Sequence, residues 1–188
     1  MRRLVELDQV SVDWGIFSLE INNTKKESAE DAAEFRATLA MRTVMAVRRS
    51  AGNVGVGAFY FALGNRIWDD TQDILSPDTI KGALADAGLD TALSDDAMAD
   101  PTTWDEVVAE HHALVEGTRT FGVPSITLDG GSGPCTFGPV ISHMPTDDES
   151  VELWHAVKTL TRNANFSELK RDRVDPPDLE AVRARAKK

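Results

Sequence analysis

Beyond the polar stretch from Asn22 to Ser28, about ninety residues pass without a convincing strand, while the segments on either side carry strand-forming patterns. Any fold for this chain has to accommodate the order strand, helical block, strand, strand, helix. Inside the block, Ser76-Pro77-Asp78 supplies an N-cap, a proline at the first helical position and an acid against the macrodipole. Ile80, Ala83, Leu84 and Ala87 then share one face, and Gly88 stops the helix. Asp100-Pro101 repeats the start signal, with Trp104, Val107, Val108, His111, Leu114 and Val115 on an apolar face and Gly117 at the end. Two further helices are expected over about residues 30–50 and 56–67.

The flanking segments have a different period. Residues 10–19 begin with the alternation Val10, Val12, Trp14, Ile16 and finish apolar on both faces, which reads as a strand with its later half buried on both sides. After the block, Val123 to Leu128 and Cys135 to Ile141 read as two antiparallel strands joined by the loop Asp129-Gly130-Gly131-Ser132-Gly133-Pro134. Thr146-Asp147-Asp148-Glu149 fits a capping box, and the helix it opens is expected to carry Leu153, Trp154, Val157 and Leu160 inward. Gly122-Val123-Pro124 stands directly before the first of the paired strands. Most such segments are plain turns or strand starts, but a proline there can also hold a cis bond at the mouth of a sheet.

Composition narrows the partners. With 188 residues and 41% hydrophobic content, one sizeable core fits and two full domains do not. The 31 acidic residues outnumber 20 basic ones, and a net charge of −11 repels nucleic acid and anionic membrane surfaces, so neither is an expected partner. Only Arg171, Arg173, Arg183, Arg185, Lys187 and Lys188 lean the other way, and they read as a solvated helix end. Leu4, Val5 and Leu7 are interrupted by Glu6 and Asp8, so neither a secretory core nor a membrane span is read there. The single cysteine, Cys135, rules out an internal disulfide framework and points to a reducing cytoplasm.

Few residue groupings suggest chemistry. Gly130-Gly131-Ser132-Gly133 lacks the Gly-Lys-Ser/Thr of a phosphate cradle and reads as a hairpin loop. His111 and His112 point apart on their helix, His111 toward the core. His112 and Glu116 have the spacing of a metal pair, yet a surface ion pair explains them better, and no metal site is expected. His143 and His155 stand alone, and no Gly-x-Ser-x-Gly elbow supports a serine hydrolase. Cys135 reads as a small buried hydrophobe, and the C-x-x-C pair needed for an intramolecular dithiol cycle is absent.

Several ordered segments nonetheless resemble one family. They are Phe17-Ser18-Leu19-Glu20-Ile21-Asn22-Asn23, Ala62-Leu63-Gly64-Asn65-Arg66-Ile67, Leu84-Ala85-Asp86-Ala87-Gly88-Leu89, Gly122-Val123-Pro124-Ser125, Phe137-Gly138-Pro139-Val140, Glu168-Leu169-Lys170-Arg171 and Asp175-Pro176-Pro177. Together they resemble the DsbA-like branch of the thioredoxin superfamily, in the actinobacterial group that includes mycothiol-dependent nitroreductase. The resemblance implies an α/β, thioredoxin-like fold over residues 1–188 as a single domain, with a helical insertion over about residues 30–100. It also implies that Pro124 is the cis-proline, that the main chain of Val123 faces the thiol and the substrate, and that Asn23 lies near the substrate pocket. A low-molecular-weight thiol, mycothiol or glutathione, is the implied cosubstrate; no bound cofactor is implied, and a homodimer is admitted.

The departure from the family pattern lies at the start. Members begin with a strand and a Cys-Pro-x-Cys-like motif at a helix N-terminus, where the dipole lowers the thiol pKa. Here Met1 to Leu7 looks like the end of that helix, so the first, central strand and the catalytic cysteine are missing, and no residue of the chain is assigned as catalytic. That strand would lie between residues 10–19 and 123–128, and losing its ladder is expected to leave the chain unstable alone and inactive. A start assigned too far downstream, or a truncated gene, is the expected cause. The competing functions are a 2-hydroxychromene-2-carboxylate isomerase or kappa-class glutathione transferase, which place serine at the cysteine position, and a non-catalytic binding module.

Overall fold

Nearly every helix start signal in the middle of the chain is met by a helix. The computed structural model describes residues 1–172 together with 179, 180 and 182. The tail cations from Arg173 onward and Asp175-Pro176-Pro177 lie outside the described residues. In chain order the elements are α1 (Arg2–Glu6), α2 (Leu19–Thr24), α3 (Ala29–Ala32), α4 (Thr38–Trp68), α5 (Pro77–Asp86), α6 (Leu93–Ala99) and α7 (Thr102–Thr118). They are followed by β1 (Ser125–Thr127), β2 (Cys135–Phe137) and α8 (Asp147–Arg162). The architecture is mixed α/β, mostly helical among the described residues, with a two-stranded antiparallel sheet. Two compact units divide it: Trp14–Ala113 with Leu179–Lys188 form one, and Met1–Asp13 with Leu114–Asp178 form the other.

In the helical unit, the helix expected over about residues 30–50 is divided into α3 and the start of α4, and from Thr38 it continues with the one expected over 56–67 as a single element, α4, bent at Gly52, whose φ of 63° and ψ of −163° are not helical. Glycine occupies that left-handed position without the Cβ clash another residue would meet. The bend lets both halves of α4 contribute to one core: Val47, Val56 and Phe59 are fully buried with Ile80, Ala83 and Leu84 of α5. Pro77 starts α5 as its first helical residue, although the Ser76 side chain makes no capping bond. A second cluster joins Ile21 of α2, Met41 and Met45 of α4, and Trp104 and Val107 of α7. Helix α6 escapes sequence reading because Ala92, at its N-cap, offers no side-chain acceptor.

The strand expected over residues 10–19 is not there. Residues 10–18 have no regular structure, and α2 begins at Leu19. The period of two is nonetheless visible in burial, since Val10, Val12, Trp14 and Ile16 are half-buried while Ser11, Asp13 and Gly15 are exposed. Among the described residues no strand serves as a ladder partner for this segment. Side chains take its place: the Trp14 N–H donates to Asn53 Oδ1 at 2.9 Å, Ile16 N–H to Glu110 Oε1 at 3.0 Å, and Ser18 N–H to His111 Nδ1 at 3.3 Å. Arg48, paired with Glu110, donates from Nη2 to the Trp14 carbonyl at 2.7 Å. Alternation predicted the faces of residues 10–16, but the later half is not buried on both sides, since Leu19 is exposed, and the partner decides whether a strand forms.

In the other unit, Ser125 pairs with Phe137, Ile126 with Thr136 and Thr127 with Cys135, so both strands are shorter than their apolar runs. Gly130 and Gly131, at φ of 62° and 88°, turn the intervening loop. Thr146 and Glu149 complete the capping box of α8, each side chain bonding the other's main chain. The expected inward face of α8 is only partly covered. Trp154 and Val157 are half-buried, whereas Leu153 and Leu160 stay exposed. Arg3 of α1 binds Asp147 at the start of α8 at 2.5 Å and Asp129 accepts from Arg162 at its end at 2.7 Å, and the five-residue α1 is too short to cover a sixteen-residue helix.

Candidate functional site

The segment preceding β1 gathers the most distinctive local chemistry. Both Val123–Pro124 and Gly138–Pro139 are cis peptide bonds. The Pro124 carbonyl accepts from Gly138 N–H at 2.9 Å, which continues the β1–β2 ladder one step beyond Ser125 and Phe137. Ser125 Oγ donates to the Gly122 carbonyl at 2.7 Å and closes the turn before it. Val123 projects from this tightened end of the hairpin. It is 45% exposed, and no hydrogen bond among the described residues engages its main-chain N–H or C=O. One donor and one acceptor therefore stand open on an ordered backbone.

Aromatic rings border that opening. Phe121 and Phe137 stack with centroids 5.6 Å apart and planes at 22°. Gly122 makes room for them, because a Cβ there would come within 3.3 Å of the Phe137 ring edge. Neither ring was singled out from the sequence for a role. A signal existed in the repeated Phe-Gly that precedes each proline, at Phe121-Gly122-Val123-Pro124 and Phe137-Gly138-Pro139.

Asn23 belongs to the helical unit, on the last turn of α2, where it is exposed and its Oδ1 accepts from Asn22 Nδ2 at 3.2 Å. Helix α2 is held at several points. Buried Ser18 caps it by accepting from Ile21 N–H at 3.1 Å, Ile21 anchors it in the core, and Glu20 accepts from the main chain of Arg36 at 2.6 Å and of Ala37 at 3.3 Å. Val123 and Pro124 thus share one unit and Asn23 lies in the other.

Supporting this helix, His111 is the buried core histidine expected from its position, and its pKa is lowered, first by burial and then by the charges of His112 and Lys25. Its Nδ1 accepts from Ser18 N–H, which fixes the other ring nitrogen as the N–H in the neutral form. His112 meets Glu27 at 2.7 Å rather than Glu116, so its ion-pair partner comes from the loop before α3 and not from its own helix. Among the described residues, no group of three or more metal-ligating side chains gathers. A concavity bordered by α4 and α6 is lined by Arg49 and Asp100, but these bind each other at 2.6 Å, and the guanidinium together with the Thr102 hydroxyl and amide holds the Asp100 carboxyl down at about 2.

Cys135 is half-buried on β2, its Sγ 3.7 Å from Thr120 Oγ1. It pairs with Thr127, at the opposite end of the ladder from Val123. Among the described residues no helix is long and apolar enough to cross a membrane.

Two comparisons bear on this geometry. Residues 1–171 match the family described as Rv2466c-like, mycothiol-dependent nitroreductase Rv2466c. The chain is also similar to the Mycobacterium tuberculosis protein Rv2286c, 31% identical over 176 residues that cover 92% of this chain and 74% of that protein.

Proposed function

Because the chain belongs to the Rv2466c-like family of mycothiol-dependent nitroreductases, we propose that it serves thiol-dependent reduction in a reducing cytoplasm, with mycothiol rather than glutathione as cosubstrate and a nitro compound or disulfide as acceptor. The match of residues 1–171 to that family carries the reading. In it, the fold is a DsbA-like thioredoxin variant with the helices from α3 to α6 as its insertion, and Val123 and Pro124 form the substrate-side wall. The open N–H and C=O of Val123 offer one donor and one acceptor, the complement of an amide in a cysteine-derived thiol. The overall exchange balances as two thiols giving up two protons and two electrons to form one disulfide, while the nitro group takes these up, loses one oxygen as water and becomes a nitroso group.

The lone thiol does not fit the role of nucleophile, since Cys135 sits at the far end of the β1–β2 ladder from Val123. This favours a second reading of the 188 residues alone, as a binding module that holds thiol and acceptor without turnover.

Titration of the protein with mycothiol and, in parallel, glutathione, followed by the amide resonance of Val123, tests the assignment. Saturable shifts centred on Val123, tighter for mycothiol, are expected; absence of binding by both thiols rejects the reading. Any thiol-dependent nitro reduction should survive Cys135→Ser, and loss of turnover in that variant would make Cys135 the nucleophile and overturn the proposed geometry.

A further inference from the structure

We propose that Phe121 and Phe137 form an aromatic platform beside Val123 that selects flat, electron-poor aromatic acceptors over aliphatic compounds bearing the same reactive group. The proposal rests on the functional reading above and names the substrate class of that same site. The two rings are already stacked, and Phe121 is 68% exposed, so the outer side of the pair is open to a further ring. Phe137 is held by its pairing with Ser125 and by the close fit of its edge to buried Gly122, which spares a ligand the cost of ordering that ring. Aromatic faces are electron-rich, and a ring depleted by nitro groups is their electrostatic complement in an offset stack.

The surroundings exclude other occupants. Residues 120–128 and 130–142 carry no Asp, Glu, Lys or Arg, and the charged side chains adjoining them in sequence are Arg119 and Asp129, in a chain that is 27% charged with a net charge of −11. A surface so free of charge does not recognise an ionic partner. Val140 and Ile141, which follow Phe137 closely in the chain, are exposed apolar residues like Phe121, Val123 and Phe137. Five side chains at a hairpin end fall well short of the roughly 800 Å² per partner that a stable protein interface buries, whereas they suffice for a small planar molecule. Continuity with the open Val123 main chain places such a molecule next to the proposed thiol.

The test uses 1,3-dinitrobenzene and nitrocyclohexane as probes of the full chain, with binding followed by the Phe121, Phe137 and Val123 resonances, so that no turnover is needed. Dinitrobenzene should bind and shift all three, with ring-current shifts that nitrocyclohexane does not produce. Phe121→Ala should weaken dinitrobenzene by about fivefold, the size of a single aromatic stack; Phe121→Leu, which keeps apolar area, should weaken it similarly, and Phe121→Trp should retain it. Equal affinity for both probes, or affinity unchanged in Phe121→Ala and Phe121→Leu, overturns the platform. A dimer that dissociates in Phe121→Ala and ignores dinitrobenzene would assign the surface to a second copy and likewise overturn it. Mycothiol binding at Val123 without dinitrobenzene binding refutes the platform alone, while the converse refutes the thiol reading alone.

Discussion

Replacing Glu110 by alanine should destabilise the helical unit by about 2–3 kcal/mol, because its carboxylate is central among the side-chain groups that hold a segment no strand holds. Its Oε1 accepts the Ile16 N–H at 3.0 Å and its other oxygen pairs with Arg48, which in turn binds the Trp14 carbonyl. The two side chains are 21% and 32% exposed, so water screens the ion pair only in part. A hydrogen bond to a charged acceptor contributes about 1.5–3 kcal/mol, and a backbone N–H left half-buried and unpaired adds a fraction of its 1–3 kcal/mol desolvation cost. Arg48 can turn toward water once freed, which limits its share to about 1 kcal/mol or less. Glu110→Gln keeps an acceptor for Ile16 and should cost only about 1 kcal/mol. Urea unfolding measures both variants: with a slope of about 2 kcal/mol per molar, Glu110→Ala should lower the midpoint by about 1 M without changing the slope. Hydrogen exchange at the Ile16 amide should accelerate in step. If Glu110→Ala falls within about 0.5 kcal/mol of the parent, or Ile16 exchange is unchanged, the side-chain clasp is not what holds residues 14–18.

Two other perturbations probe the core and the buried histidine. Phe59 is fully buried against α5, so Phe59→Ala should cost about 3–5 kcal/mol, read as loss of cooperative unfolding at ordinary temperature; a cost below about 1 kcal/mol would mean that α4 and α5 collapse onto the gap. His111 has a lowered pKa in the folded protein, so the unfolded chain binds the proton first as pH falls. The stability it confers is complete above the ordinary imidazole value of 6.5 and declines below it, toward the lowered native value. His111→Phe should flatten the stability profile in that window, and a slope that persists there would assign it to another group.

Legibility differed from element to element for physical reasons. Helix α5 could be read residue by residue because Ser76-Pro77-Asp78, the Ile80, Ala83, Leu84 face and Gly88 are local signals that all agree. The capping box of α8 was equally plain, but the burial of Leu153 and Leu160 depends on what covers them, and α1 is too short to do so. His111 was recognised as a core residue, whereas its partner, the Ser18 N–H, lies 93 positions away and left no local trace. Of the candidate site, Val123 and Pro124 were singled out because glycine and proline constrain the backbone visibly. Phe121 and Phe137 were overlooked as a pair because only the β1–β2 register brings residues 121 and 137 together.

The sequence by itself determined the helical middle, the hairpin with its glycine loop, the lone cysteine and the net charge of −11. All of these follow from local conformational preference or from composition. Tertiary structure alone decided that residues 10–18 form no strand, that Glu110 and Arg48 hold them instead, and that Val123 presents an open main chain beside two stacked rings. Those outcomes turn on which partner reaches a given N–H, carbonyl or ring. Partners distant in sequence leave no period in the residues they will meet.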